Sequence, residues 1–147
     1  MEIAILGLGC FWGPEIKFSE LEGVIKTEVG YCGGFNKKTT YEEVCTGQTN
    51  HAEVVKLDFD PKIITYEKIL EFFFEIHDPT SLNFQGPDFG TQYRSEIFYL
   101  NENQKNIAKK IKEKVSSSFA KNVVTKISLA DNYCVAEDYH QKYLEKR

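Results

Sequence analysis

The stretch that most constrains the fold lies near the N-terminus. Ile3-Ala4-Ile5-Leu6 is an apolar run that breaks at once into Gly7-Leu8-Gly9-Cys10-Phe11-Trp12-Gly13-Pro14-Glu15. A short aliphatic run bounded by turn residues reads as a buried strand. Pro14 and Glu15 suit the first turn of a helix, where a missing N–H costs nothing and a carboxylate meets the positive dipole end. The chain must therefore pass from strand to helix through the glycines, with Cys10 at the junction. A thiol facing a helix N-terminus is expected to have a lowered pKa and to be nucleophilic. The competing reading is a buried, inert cysteine. The glycines, the helix start and the adjacent Phe11-Trp12 favour the nucleophile.

The rest of the chain alternates strands and helices. The opening helix is expected to end near Gly23. Val24 to Val29 reads as a β-branched strand closing at Gly30, followed by a loop over Tyr31-Cys32-Gly33-Gly34. Thr40, with Glu43 three residues on, caps a short helix that Gly47 ends. Ala52 to Phe59 is a further strand. Thr65 opens the clearest helix, Tyr66 to about Ile76, whose Ile69, Leu70, Phe72, Phe73 and Phe74 belong to the core. The Gly/Pro-punctuated span from His77 to Thr91 reads as a long loop of functional type. Tyr93 to Leu100 is a strand, and Asn101 with Gln104 starts a helix carrying Ile107, Ala108, Ile111, Val115 and Phe119 on one face. Val123 to Leu129 is a last strand, and Glu137 to Leu144 a terminal helix. No hairpin break stands out. The expected fold is a single α/β (α+β) domain over 1–147, one sheet with helices packed on it.

Composition narrows the function classes. A chain of 147 residues, 41% hydrophobic and 27% charged, suits one soluble core. A net charge of −4 implies no general affinity for nucleic acid or anionic membrane, and no apolar run approaches a membrane span. The N-terminus lacks the basic region of a secretory signal, which points to the cytoplasm, where structural disulfides are rare. Cys10, Cys32, Cys45 and Cys134 form no CxxC pair and, with His51, His77 and His140, lack zinc-ligand spacing. Redox chemistry is favoured over metal binding.

Groups capable of chemistry gather in loops and at element ends: Tyr41 before Cys45, Glu53 at a strand start, Asp88 and Tyr93 at the end of the long loop. Taken singly, each has an ordinary structural reading, and periodicity alone does not bring them to Cys10.

Gly9-Cys10-Phe11-Trp12-Gly13 with Glu15 resembles the signature of the A-type peptide methionine sulfoxide reductases. Gly30-Tyr31-Cys32-Gly33-Gly34, Thr40 to Gly47, His51-Ala52-Glu53, His77 to Thr80, Gly90 to Ser95 and Ala136 to Gln141 are similar to that family in the same order. The resemblance implies a two-layer sandwich of ferredoxin-like type with one mixed sheet. It also implies reduction of the S epimer of methionine sulfoxide, free or in proteins, without metal or organic cofactor. Carried over by motif, Cys10 is the nucleophile, and Phe11 and Trp12 form the pocket for the substrate's methyl group. Glu53, Tyr41 and Tyr93 surround the sulfoxide oxygen, and Asp88 supports the site by hydrogen bonding. Burial should raise the pKa of Glu53 and make it a general acid, with the tyrosines stabilising the oxygen.

Many members of the family carry resolving cysteines in a tail after the terminal motif; here no cysteine follows Cys134. The Cys10 sulfenic acid then needs Cys32, Cys134 or an external thiol. Cys32 is favoured by its flanking glycines, and Cys45, frequent in the family's own helix motif, reads as a bystander. Thioredoxin is the expected reductant of the disulfide, and a monomer the expected state. A non-catalytic methionine-binding module and a thiol peroxidase are the alternative classes.

Overall fold

Apolar runs that serve both faces of the central strands, and apolar stripes along the helices, build one sheet with a helical layer. The computed structural model describes residues 1–146. In chain order the elements are β1 (Glu2–Leu8), α1 (Trp12–Ser19), β2 (Val24–Cys32), α2 (Tyr41–Cys45), β3 (Ala52–Phe59), α3 (Tyr66–Glu75), β4 (Phe84–Gln85), β5 (Asp88–Phe89), β6 (Ser95–Tyr99), α4 (Glu102–Ser116), β7 (Lys126–Leu129) and β8 (Cys134–Val135). Single 3-10 turns occupy Thr91–Tyr93 and Asp138–His140.

The large sheet has the order β7-β6-β1-β3-β2-β8. β3 is antiparallel to both β1 and β2, and β1 is antiparallel to β6, so β1 and β2 run parallel, as do β3 and β6. The chain thus forms two interleaved βαβ units, β1-α1-β2 and β3-α3-β6, which is the ferredoxin-like arrangement. α4 then crosses over to lay β7 parallel beside β6.

β3 shows how the layers divide. Val55, Leu57 and Phe59 point into the main core with Phe18, Ile69, Leu70, Phe73, Ala108 and Ile111. Ala52 and Val54 point the other way, into a smaller cluster with Ile5, Cys32 and Phe98 that Ala130 and Tyr133 cover. Burying a side chain of the Leu, Ile or Phe size contributes about 1.5–3 kcal/mol, so α3 and α4 are held chiefly by their inner faces. Their starts match the sequence: Thr65 accepts the Lys68 N–H at 3.1 Å, and Asn101 accepts that of Gln104 at 2.9 Å. Thr40 caps α2 in the same way.

Several segments differ from the sequence expectation, among them β7, which starts at Lys126 instead of Val123, and the unexpected strand β8. The span from His77 to Thr91 contains a hairpin, β4–β5, turning at Gly86-Pro87 and faced by stacked Phe84 and Phe89; two-residue strands are too short to display a period. β2 continues past Gly30 to Cys32 because both of its edges are paired, to β3 and to β8. A Cβ at Gly30 would stand 2.6 Å from the carbonyl oxygen of Cys134, so only glycine admits β8 this closely. Tyr93 lies in a 3-10 turn, and its strand starts at Ser95. The expected terminal helix is absent. Its residues bond β2 instead: Gln141 accepts the Val29 N–H and donates to the Val29 carbonyl, both at 2.9 Å. Among the described residues no helix is long and apolar enough to cross a membrane.

Candidate active site

Cys10 sits in the bend between β1 and α1, half-buried. Gly9, at φ +100°, makes that bend, and a Cβ there would come within 2.9 Å of the Gln85 side chain. The β4–β5 hairpin is thereby brought against the cysteine turn, and with it Asp88. Phe11 precedes α1 and caps it with no side-chain bond.

Glu53 organises the site. It is 1% exposed, on the helical face of β3. One carboxylate oxygen accepts the backbone N–H of Phe11 at 3.3 Å, and the other accepts the side-chain amide of Gln92 at 3.1 Å. Burial pushes its pKa up to about 7; the two N–H donors pull it back, and the Asp88 charge adds to the rise. A carboxyl group that holds its proton near neutral pH is what a general acid requires.

The thiol of Cys10 departs from expectation. Burial pushes it up to about 11; the Trp12 backbone N–H lowers it, but Glu53 and Asp88 raise it further. Desolvation and neighbouring carboxylates outweigh the short helix's N-terminus. In this state Cys10 is a protonated thiol rather than a standing thiolate.

Tyr41 and Tyr93 are drawn to the same place. Burial raises both hydroxyl pKa values, so both stay protonated and able to donate. The Tyr41 hydroxyl is a hydrogen-bonding neighbour of the Cys45 thiol, and Tyr93 feels the charges of Glu53, Asp88, Cys45 and Cys10. Asp88 acts on the site through its charge, on Cys10, Glu53 and Tyr93 alike. Phe11 is 1% exposed, packed against Tyr31 and His140, whereas Trp12 is half-buried and stacks on Tyr143 at 3.8 Å. Phe11 is therefore a floor and Trp12 an accessible flank.

Cys32 stands apart from these groups. It ends β2 rather than lying in a loop, is 0% exposed, and donates to the Asp131 carbonyl at 3.4 Å on the sheet face opposite Glu53. Cys134, in β8, is half-buried beside the Thr39 carbonyl.

Three residues make contacts at the site that the sequence did not assign. Gln92 holds Glu53 and also reaches the exposed Cys45 thiol at 3.6 Å. Glu137 accepts the Tyr31 hydroxyl and the Tyr41 backbone N–H, each at 2.9 Å. Buried Glu15 ties α1 to Thr27 and to the Lys142 backbone. All three fall within motif blocks, but block membership carries no geometry. Among the described residues no group of three or more His, Cys, Asp or Glu side chains could hold a metal ion.

Comparison with known proteins gives the family. The family model described as peptide methionine sulfoxide reductase matches residues 2–147. A peptide methionine sulfoxide reductase MsrA from Pelagibacter ubique is 77% identical over 147 residues, covering 100% of both chains. The crystal structure of Mxr1 from Saccharomyces cerevisiae in reduced form superposes with a TM-score of 0.95 at 38% identity, over 99% of this chain and 85% of that one. The same yeast protein in complex with Trx2 gives 0.69 at 26% identity, over 97% and 84%. Full-length matches of this kind leave one assignment: the chain belongs to the A-type peptide methionine sulfoxide reductases, oxidoreductases that act on methionine sulfoxide.

Proposed function

We propose that the chain reduces the S epimer of methionine sulfoxide, free or within proteins, through a sulfenic acid on Cys10. The observation that carries this reading is the placement of Glu53. A buried carboxyl with its pKa raised to about 7 is hydrogen-bonded to the peptide that follows Cys10. A sulfoxide oxygen is a poor leaving group until it is protonated. Glu53 delivers the proton, Tyr41 and Tyr93 donate hydrogen bonds to the same oxygen, and Cys10 sulfur attacks the substrate sulfur. As it attacks, the Cys10 thiol gives its proton back to the Glu53 carboxylate. The hydroxyl then passes from the substrate sulfur to the Cys10 sulfur as the transient S–S bond breaks, so that the substrate S–O bond is lost, methionine leaves and Cys10 is left as S–OH. The half-buried Trp12 over the Phe11 floor receives the methyl group. No step calls for a metal or organic cofactor. The test is Cys10→Ser: loss of sulfoxide reduction with an intact fold is expected, and surviving turnover would sink the assignment.

Recycling condenses Cys10–SOH with a second thiol, releasing water and forming a disulfide that a thioredoxin reduces. The yeast relative's complex with Trx2 supports that class of reductant. The sequence favours Cys32 as the second thiol, but a Cys10–Cys32 bond needs the buried end of β2 to leave its ladder. Cys45 is exposed and bonded to the amide that holds Glu53, and Tyr93 feels the charges of both Cys45 and Cys10, so this thiol engages without a strand leaving the sheet. Cys45 is therefore the resolving thiol in this reading. A reducing compartment such as the cytoplasm suits this thiol chemistry, and a monomer suffices for every step.

A further inference from the structure

We propose that His140 is a positioning residue of the sulfoxide site: its Nδ1 accepts the indole N–H of Trp12 and so sets the angle of the aromatic wall that meets the substrate's methyl group. The proposal rests on the reductase reading above and extends it to a residue that touches neither the thiol nor the sulfoxide oxygen.

The Trp12 Nε1–H lies 3.0 Å from His140 Nδ1. An indole nitrogen only donates, so Nδ1 must accept, which puts the neutral ring's proton on Nε2. That Nε2 is buried and, among the described residues, has no hydrogen-bond partner. The ring itself is 1% exposed, walled by Phe11 at 5.2 Å, Tyr41 at 4.6 Å and Tyr139 at 4.2 Å between centroids. A leucine or phenylalanine would fill this aromatic space without stranding a donor. A buried group left unsatisfied calls for a reason, and here the reason is the acceptor on the other side of the ring.

Two constraints then act on Trp12. Tyr143 stacks on it at 3.8 Å and 11°, which fixes the plane of the indole. Stacked rings still slide and turn in their plane. The bond to His140 is directional and removes that freedom. The support is rigid, because Gln141 is bonded to both backbone groups of Val29, and Glu137 to Tyr31 and Tyr41. One segment thus aligns the methyl wall and holds the backbone of Tyr41 on the oxygen side. Burial lowers the His140 pKa and preserves the accepting form, with Glu137 acting in the opposite direction.

Trp12 is the chain's single tryptophan, so its emission reports this bond directly. The experiment compares His140→Leu, which removes the acceptor, with His140→Asn, whose Oδ1 can take the place of Nδ1. Each is made alone and on a Trp12→Phe background, and assayed with a methionine sulfoxide peptide and thioredoxin. For His140→Leu the expectation is a shifted Trp12 emission maximum and a KM raised about tenfold with kcat within about twofold, the range a misaligned apolar contact commands. His140→Asn should return KM to within about threefold of wild type, and the Leu penalty should vanish on the Trp12→Phe background, as coupled residues require. An Asn variant no better than Leu, an unchanged emission maximum, or the full Leu penalty without Trp12 would each overturn the proposal. Should His140→Leu fail to fold, emission and KM of His140→Asn decide. Absence of sulfoxide turnover in the wild type would count against the reductase reading, and the emission arm would still test the bond itself.

Discussion

Glu53 and Phe11 are joined across 42 positions: a carboxylate oxygen in β3 accepts, at 3.3 Å, the backbone N–H of the residue that follows Cys10. The carboxyl group proposed as the acid is therefore tied to the peptide beside the proposed nucleophile. Glu53→Gln keeps an acceptor for that N–H but has no acidic proton. The sulfoxide-reducing step in a single turnover should slow by about 10²–10⁴-fold, the usual share of general acid catalysis. A rate equal to wild type would remove Glu53 from the role.

The raised pKa of Glu53 also links stability to pH. Its folded value of about 7 lies above the unfolded 4.5, so its contribution is fully present below pH 4.5 and is lost as pH rises through 7. Between those limits wild type loses about 3 kcal/mol that Glu53→Gln does not. Urea titrations of both proteins at pH 4 and pH 8.5 measure it. A stability difference that stays constant with pH contradicts the assignment.

Gln92 donates to Glu53 and holds its pKa down. Gln92→Leu should move the Glu53 titration upward, which carboxyl NMR of the labelled side chain reads directly. A downward shift would mean that the amide does not stabilise the carboxylate.

Arg94 and Glu96 form a buried pair, Nε to Oε1 at 2.6 Å, and Arg94 also bonds the Thr91 carbonyl at 2.9 Å. The pair anchors the turn that presents Gln92 and Tyr93. Glu96→Leu strands the guanidinium and should cost about 3–5 kcal/mol in denaturant unfolding, with the Arg94→Leu/Glu96→Leu double variant recovering much of it. Equal losses in the single and double variants would show that burial of an unpaired charge is not the cause.

Recycling is tested by mass mapping after one turnover. A Cys10–Cys45 disulfide is expected, and Cys45→Ser should leave a trappable sulfenic acid. A Cys10–Cys32 or Cys10–Cys134 bond moves the resolving role to that residue, and no disulfide at all moves it to the external thiol.

The order of elements was legible in the sequence wherever a segment carries its own signal. Thr65 and Asn101 cap helices through side chains three residues from their partners, and the apolar run of Ala52 to Phe59 marks β3 as a strand. The ordered motif blocks likewise pointed to the family. Legibility stopped where a residue's conformation depends on a distant strand. The segment after Cys134 holds residues that could continue a helix, yet Gln141 and Glu137 spend their hydrogen bonds on β2, Tyr31 and Tyr41. The β4–β5 hairpin is too short to show a period and is set by its packing against Gly9.

By itself, then, the sequence determined a strand-to-helix junction bearing Cys10, the α/β layering and the family, because periodicity, caps and motifs are local. Only the tertiary structure decided the chemistry of that junction. Whether a thiol at a helix start is ionised depends on how much water the fold removes and which carboxylates it brings close. Here burial, Glu53 and Asp88 raise Cys10 to about 11 despite the helix N-terminus. The same fold placed Cys32 behind the sheet, which side-chain direction along β2 decides and flanking glycines cannot reveal, and brought Cys45 of α2 beside Gln92.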